Sequence, residues 1–138
     1  MKTIAFTVYG IARPKGSTSS FAVTTKEGKT KVVTTQANKN TKVWQREVSA
    51  VAQNYVPKDG LLNGAINITL RFYLRRPESV SSAKRPYPTV KPDFDKLTRT
   101  VCDSLKGKIY TDDSRICKAT ILKCYGDPPR VEIEVEEM

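Results

Sequence analysis

Ala65-Ile66-Asn67-Ile68-Thr69-Leu70-Arg71-Phe72-Tyr73-Leu74 is the stretch on which the fold turns. Ile66, Ile68, Leu70, Phe72 and Leu74 fall on one side of an extended chain, and Asn67, Thr69, Arg71 and Tyr73 on the other. Side chains of a strand alternate between faces, so this period of two predicts a strand with one core face and one polar face.

After this strand comes a long basic, proline-rich connection over 75–92. It carries Arg75-Arg76-Pro77, Lys84-Arg85-Pro86-Tyr87-Pro88 and Lys91-Pro92. Connections of this length in a compact domain are usually functional or disordered. A helix is predicted over roughly 95–106, with Leu97, Val101, Cys102 and Leu105 on one side and Gly107 as its stop. Two strands follow, over 115–124 and 130–136. In the second, Val131, Ile133 and Val135 alternate with glutamates. Gly126-Asp127-Pro128-Pro129 turns the chain between them and predicts that the two pair antiparallel.

On the N-terminal side, residues 41–56 place Trp44, Val48, Val51, Ala52 and Tyr55 at helical spacing. Asn40 or Thr41 is a candidate cap, and Pro57 and Gly60 end the run. Trp44 reads as a core anchor rather than a base-stacking platform. Residues 15–42 are rich in Lys, Thr and Ser. There Phe21–Thr24 and Lys31–Thr34 flank Glu27-Gly28, which fits a hairpin and fits a mobile loop equally. Ile4, Phe6 and Val8 alternate as a first strand that Gly10 and Pro14 end. The order of elements predicts an α+β fold, a mixed sheet with two helices packed against it. At 138 residues, 1–138 reads as a single domain.

Lys and Arg number 24 against 14 Asp and Glu, a net charge of +10. An excess of this size in a small domain points to a polyanionic partner, nucleic acid first, with a merely solvated basic surface as the alternative. No apolar run approaches membrane-spanning length, and the N-terminus lacks a signal peptide's apolar block, so a cytoplasmic location is expected. Cys102, Cys117 and Cys124 match no zinc spacing and are expected to be buried or half-buried thiols. The chain has no histidine. That excludes a Ser-His-Asp triad, His-ligated zinc and His general bases. Hydrolysis would have to run on carboxylates, lysines, hydroxyls or metal ions.

Lys91-Pro92-Asp93-Phe94-Asp95-Lys96-Leu97-Thr98-Arg99 carries the chemistry. If Asp93 to Asp95 is extended, both carboxylates point the same way. Asp95 would then sit at or near the helix N-cap, where backbone amides and the helix dipole favour anions. Two carboxylates held together repel, and a hard divalent cation such as Mg²⁺ or Mn²⁺ relieves the repulsion. Arg99, one turn beyond Asp95, lies on nearly the same helix face. Tyr110-Thr111-Asp112-Asp113-Ser114 offers a further carboxylate. Each piece has a plainer reading, a helix cap or an acidic turn. Acidic pairs inside so basic a chain tip the balance, because carboxylates beside DNA repel phosphate unless a metal bridges the two.

At these residues the chain resembles the RusA family of Holliday-junction resolvases. The family pattern is close to K-P-D-x-D-N-L-x-K-x-x-x-D-A-L, a Gly-containing turn, D-D-x-Q-[IV], and a K-x-Y that ends the next strand. The corresponding residues are Lys91 to Arg99, Asp103-Ser104-Leu105, Gly107, Asp112-Asp113-Ser114-Arg115-Ile116 and Lys123-Cys124-Tyr125. Gly10 to Lys15 resembles the family's first-strand exit more loosely. The resemblance implies a homodimer that cuts four-way DNA junctions with Mg²⁺ or Mn²⁺. It implies that Asp93, Asp95 and Asp113 hold the metal and that Arg99 stands at the position of a lysine important in the family. Lys96 replaces the family Asn, Arg99 the Lys and Arg115 the Gln; Arg is not an equivalent donor to Lys.

The expectation is therefore metal-assisted phosphodiester hydrolysis. Asp93, Asp95, Asp113 and Arg99 form the active site, and Lys84, Arg85, Lys91 and Lys96 contact DNA. The rivals are a nucleic-acid-binding module with structural acids, and a nuclease for other branched DNA. The reading depends on Asp113 converging with Asp93 and Asp95.

Overall fold

The computed structural model describes residues 2–15, 18–24, 28, 30–36 and 39–138. The central strand is the one the alternation predicts, β4 (Ile66–Leu74), numbering strands in chain order after β1 (Thr3–Tyr9), β2 (Thr18–Thr24) and β3 (Thr30–Gln36). Two more strands close the chain, β5 (Ile116–Tyr125) and β6 (Arg130–Glu137). Helix α1 spans Lys39–Ala52 and α2 spans Phe94–Leu105. The fold is α+β, with a four-stranded mixed sheet in the order β1-β6-β4-β5. The 21–34 segment takes its hairpin reading: β2 and β3 pair antiparallel as a separate two-stranded sheet.

Register explains the core. Phe6 pairs with Ile133, Ile133 with Leu70, and Leu70 with Ile121, so one rung of apolar side chains crosses the whole sheet. The next rung runs Val8, Val131, Phe72 and ends on Lys123 at the edge. Ile66, Ile68, Leu70 and Phe72 are fully buried, together with Leu97, Val101 and Leu105 of α2 and Val48 and Ala52 of α1. Each such Ile, Leu, Val or Phe side chain contributes about 1.5–3 kcal/mol of burial free energy. Trp44 is buried, the core anchor expected of it.

The expected antiparallel β5–β6 pair is not formed. β5 instead pairs parallel with β4, across the α2 crossover, and β6 inserts between β1 and β4. The reason is burial. Val131, Ile133 and Val135 need neighbours on both edges and obtain them there, whereas Cys117 to Thr120 of β5 are exposed, as befits an edge strand. Gly126 carries the turn past β4. Its amide donates to the Leu74 carbonyl (3.0 Å), and a Cβ there would meet the Tyr73 ring at 2.6 Å.

Smaller departures also have local causes. α1 begins at Lys39, so Thr41 lies inside it, and its hydroxyl donates to the Pro14 carbonyl instead of capping the helix. Residues 53–55 tighten into a 3₁₀ turn, and the half-exposed Tyr55 ring stacks on Phe6 at 4.7 Å. Cys102 is buried and Cys124 half-buried as expected, but Cys117 is exposed on the edge strand.

Candidate active site

β4, α2 and β5 form a strand–helix–strand unit, and the 75–92 connection crosses the end of the sheet where β4 and β5 finish. α2 starts at that end. Asp93 occupies its N-cap in an extended conformation (φ −71°, ψ 144°), with no capping hydrogen bond from its side chain. The cap therefore belongs to Asp93, and Asp95 sits in the first turn. The carboxylate of Asp93 stands 3.8 Å from the Lys96 ammonium. Asp95 makes no hydrogen bond or ion pair with any described residue, and it is exposed. Both carboxylates line one open cleft with Tyr87, Lys91, Ile121 and Lys123. Arg99 is exposed one turn further along α2.

Two residues of the K-x-Y segment build this site. Lys123, at the edge of its rung, donates to the carbonyls of Val90 and Pro92, each at 2.8 Å. It thereby fixes the chain on either side of Lys91 and immediately before Asp93; the Lys91–Pro92 peptide bond is cis. Tyr125 anchors the rest of the connection. Arg76 lies over its ring at 4.1 Å, and the Nε of Arg85 donates to its hydroxyl at 2.8 Å. Arg76 also donates to the carbonyls of Ser81, Arg85 and Pro86. Lys84 and Lys91 remain exposed on the same connection. Neither positioning role is readable from composition, because the partners are backbone carbonyls and a ring distant in the chain. The spacing of the K-x-Y motif was the one available signal.

The Asp112-Asp113 segment lies elsewhere. Tyr110 is buried, and its hydroxyl stands 3.0 Å from both the Cys102 carbonyl and the Asp113 carboxylate, between which its one proton is shared. This holds Asp113 near the C-terminal half of α2, at Cys102. Burial, with Cys102 and Asp113 beside it, pushes the Tyr110 phenol far above its ordinary value, so it stays a neutral donor. Burial likewise pushes the Cys102 thiol up to about 11. Asp112 caps the short 3₁₀ turn Asp113–Arg115 by accepting from the Ser114 amide at 3.0 Å and pairs with Lys106 at 3.0 Å. Those hydrogen bonds, from Ser114 first and then Lys106, hold its carboxyl well below the usual carboxylate range. Lys106 is raised in turn by the same contact.

The structure thus groups Asp93 with Asp95 around one cleft beside Lys91, and holds Asp113 on Tyr110, so the expected convergence of the three carboxylates is not formed within one chain. Among the described residues, no three His, Cys, Asp or Glu side chains gather to hold a metal ion. Two oxygen-donor carboxylates with open coordination space still suit Mg²⁺, which is commonly held by one or two carboxylates plus substrate phosphate. No helix among the described residues is long and apolar enough to cross a membrane.

A Bacillus subtilis (strain 168) protein named "Uncharacterized protein YqaN" is 31% identical over 151 residues, covering 100% of this chain and 99% of that protein. The family model described as "Endodeoxyribonuclease RusA" matches residues 12–136, which takes in the cleft, both helices and the whole of the K-x-Y strand. With nearly its full length matched, the chain belongs to the RusA endodeoxyribonuclease family.

Proposed function

We propose that the protein is a Mg²⁺- or Mn²⁺-dependent endonuclease that resolves four-way DNA junctions by paired nicks, in recombination and repair within the cytoplasm. The observation that carries this is the pair Asp93 and Asp95. Two exposed carboxylates at the start of one helix, in a chain of net charge +10, have no structural bond to account for both. Bound there, the cation supplies Lewis-acid polarisation of the scissile phosphate and activation of water.

The chain's own residues do the rest. The cap carboxylate leaves the first-turn amides of α2 uncovered, so they and the helix dipole favour a phosphate at that end. Lys96 and Arg99 stabilise the additional negative charge of the transition state. Lys84, Arg85 and Lys91 hold flanking phosphates, with an affinity that falls as salt rises. Arg85 does so from a fixed position, because Tyr125 holds its Nε.

A homodimer belongs to the proposal, since two symmetric nicks call for two symmetric sites. Asp113 is its third carboxylate. Held away from the pair within one chain, it would reach a cation on Asp93 and Asp95 from a second copy.

The test is a synthetic four-way junction incubated with Mg²⁺. Wild type produces paired nicks and Asp95→Asn produces none. An inactive wild type, or undiminished nicking in Asp95→Asn, refutes the reading. Mixing Asp95→Asn with Asp113→Asn chains resolves the placement of Asp113. Random pairing makes about half the dimers mixed, each with one intact site if that site is shared between copies, so about a quarter of sites recover. No recovery removes the shared site.

A further inference from the structure

A second cavity adjoins the cleft, of about 450 Å³, on the other side of Asp93. Its walls are the first-strand exit at Ile11 to Pro14, the end of β4 at Leu74, the connection at Pro88 to Pro92, and Tyr125. The walls are fixed before any ligand arrives. The Gly10 amide donates to the Pro129 carbonyl and the Lys15 amide to the Lys96 carbonyl, each at 3.0 Å. Lys123 and Arg76 pin the connection above it. The lining divides by chemistry. Ile11, Leu74, Val90 and the prolines present apolar surface, while Arg13, Arg75, Lys91 and Lys96 stand among them as cations.

We infer that this cavity receives one unstacked nucleobase of the junction, the base next to the phosphate that is cut, and so sets which sequence is cleaved. The inference rests on the nuclease reading above and deepens it. An apolar slot rimmed by cations matches a group that is flat and uncharged yet tethered to phosphates on both sides. A volume of about 450 Å³ is enough for one base and its sugar. Asp93 lines both spaces, so a base seated in the cavity leaves its own phosphate at the carboxylate pair. Enzymes that read a base in this way pay to unstack and unpair it, and the base pairs at the centre of an open junction have already lost one stacking neighbour. Rigid walls reduce the ordering that binding must otherwise impose.

Ile11 and Val90 are 48% and 45% exposed, so a larger side chain at either fills the cavity without disturbing the core. The probe is a four-way junction with 2-aminopurine on the cleaved side of the branch point, bound without divalent metal. Wild type should raise its emission about fivefold as the base leaves the stack. Val90→Phe and Ile11→Phe, with melting temperatures equal to wild type, should raise it less than about twofold. In nicking assays on junctions that differ only in the bases flanking the branch, both variants should lose the wild-type ranking of sequences. No emission change with wild type, or the wild-type change and ranking in both variants, overturns the inference. Absence of nicking with Mg²⁺ or Mn²⁺ overturns the nuclease reading instead, and the emission still decides the cavity.

Discussion

Lys123→Met removes an ammonium and keeps its apolar stem, so it asks what two hydrogen bonds do for the site. The ammonium donates to the carbonyls of Val90 and Pro92 at 2.8 Å each. A hydrogen bond to a charged group is worth about 1.5–3 kcal/mol when sheltered. One of these is open to solvent and the other half-covered, which leaves about 1–2 kcal/mol for the two together. In a chain of 138 residues that corresponds to a melting temperature lower by about 3–6 °C. The larger effect is expected on catalysis. Pro92 immediately precedes Asp93, and misplacing a reacting group by about 1 Å costs on the order of a hundredfold in rate. Thermal unfolding and junction nicking at 25 °C, where the variant is still folded, separate the two effects. A variant that melts lower yet nicks at the wild-type rate would refute the claim that Lys123 positions the carboxylate.

Two further substitutions probe the scaffold. Gly126→Ala drives a methyl against the Tyr73 side chain, 2.6 Å from its ring and 3.0 Å from its Cβ, and should destabilise by about 1–3 kcal/mol as read from the urea midpoint; an unchanged midpoint counts against the close approach. Asp112→Asn should change the acid limb of stability. The folded carboxyl lies below its unfolded value of about 3.9, so its contribution is complete above that pH and is lost as pH falls toward the folded value. Melting temperature followed from pH 7 to pH 2 should therefore fall less steeply in the variant, and parallel curves would remove Asp112 from the acid response.

What the sequence made legible follows from the range of the forces involved. The alternation in 66–74 and the helical spacing around Trp44 report burial of one face, and the structure keeps both. Partner choice is a different matter. Gly126 to Pro129 announces that the chain turns, and nothing in those residues says that β4 stands between the two strands they join. The signal lay in β6, whose three alternating apolar residues are all buried, against a β5 that opens with Cys117, Lys118, Ala119 and Thr120 exposed. In the site, charge and spacing brought out Asp93 and Asp95, which line one cleft, while Arg99 is exposed further along the same helix. Asp112 against Asp113 was beyond the sequence, because both are carboxylates in one turn and only the fold assigns Ser114 and Lys106 to the first and Tyr110 to the second. The K-x-Y spacing pointed to Lys123 and Tyr125 but not to what they do, because their partners are backbone carbonyls and arginines distant in the chain.

The strand order has a bearing on synthesis. β1 and β4 do not pair; each presents an edge to β6, which follows both in the chain. Without β6 the sheet has a vacant slot where Val131, Ile133 and Val135 belong, and Leu70 and Phe72 lose the neighbours they pair with there. Contacts this distant along the chain close slowly, and an unfilled slot between two strands invites pairing with strangers. The cleft inherits the same delay, since the stretch from β4 to Asp93 is steady only once the sheet beneath it is closed. A chain of this topology closes its sheet, and the footing of its cleft, only when β6 is in place.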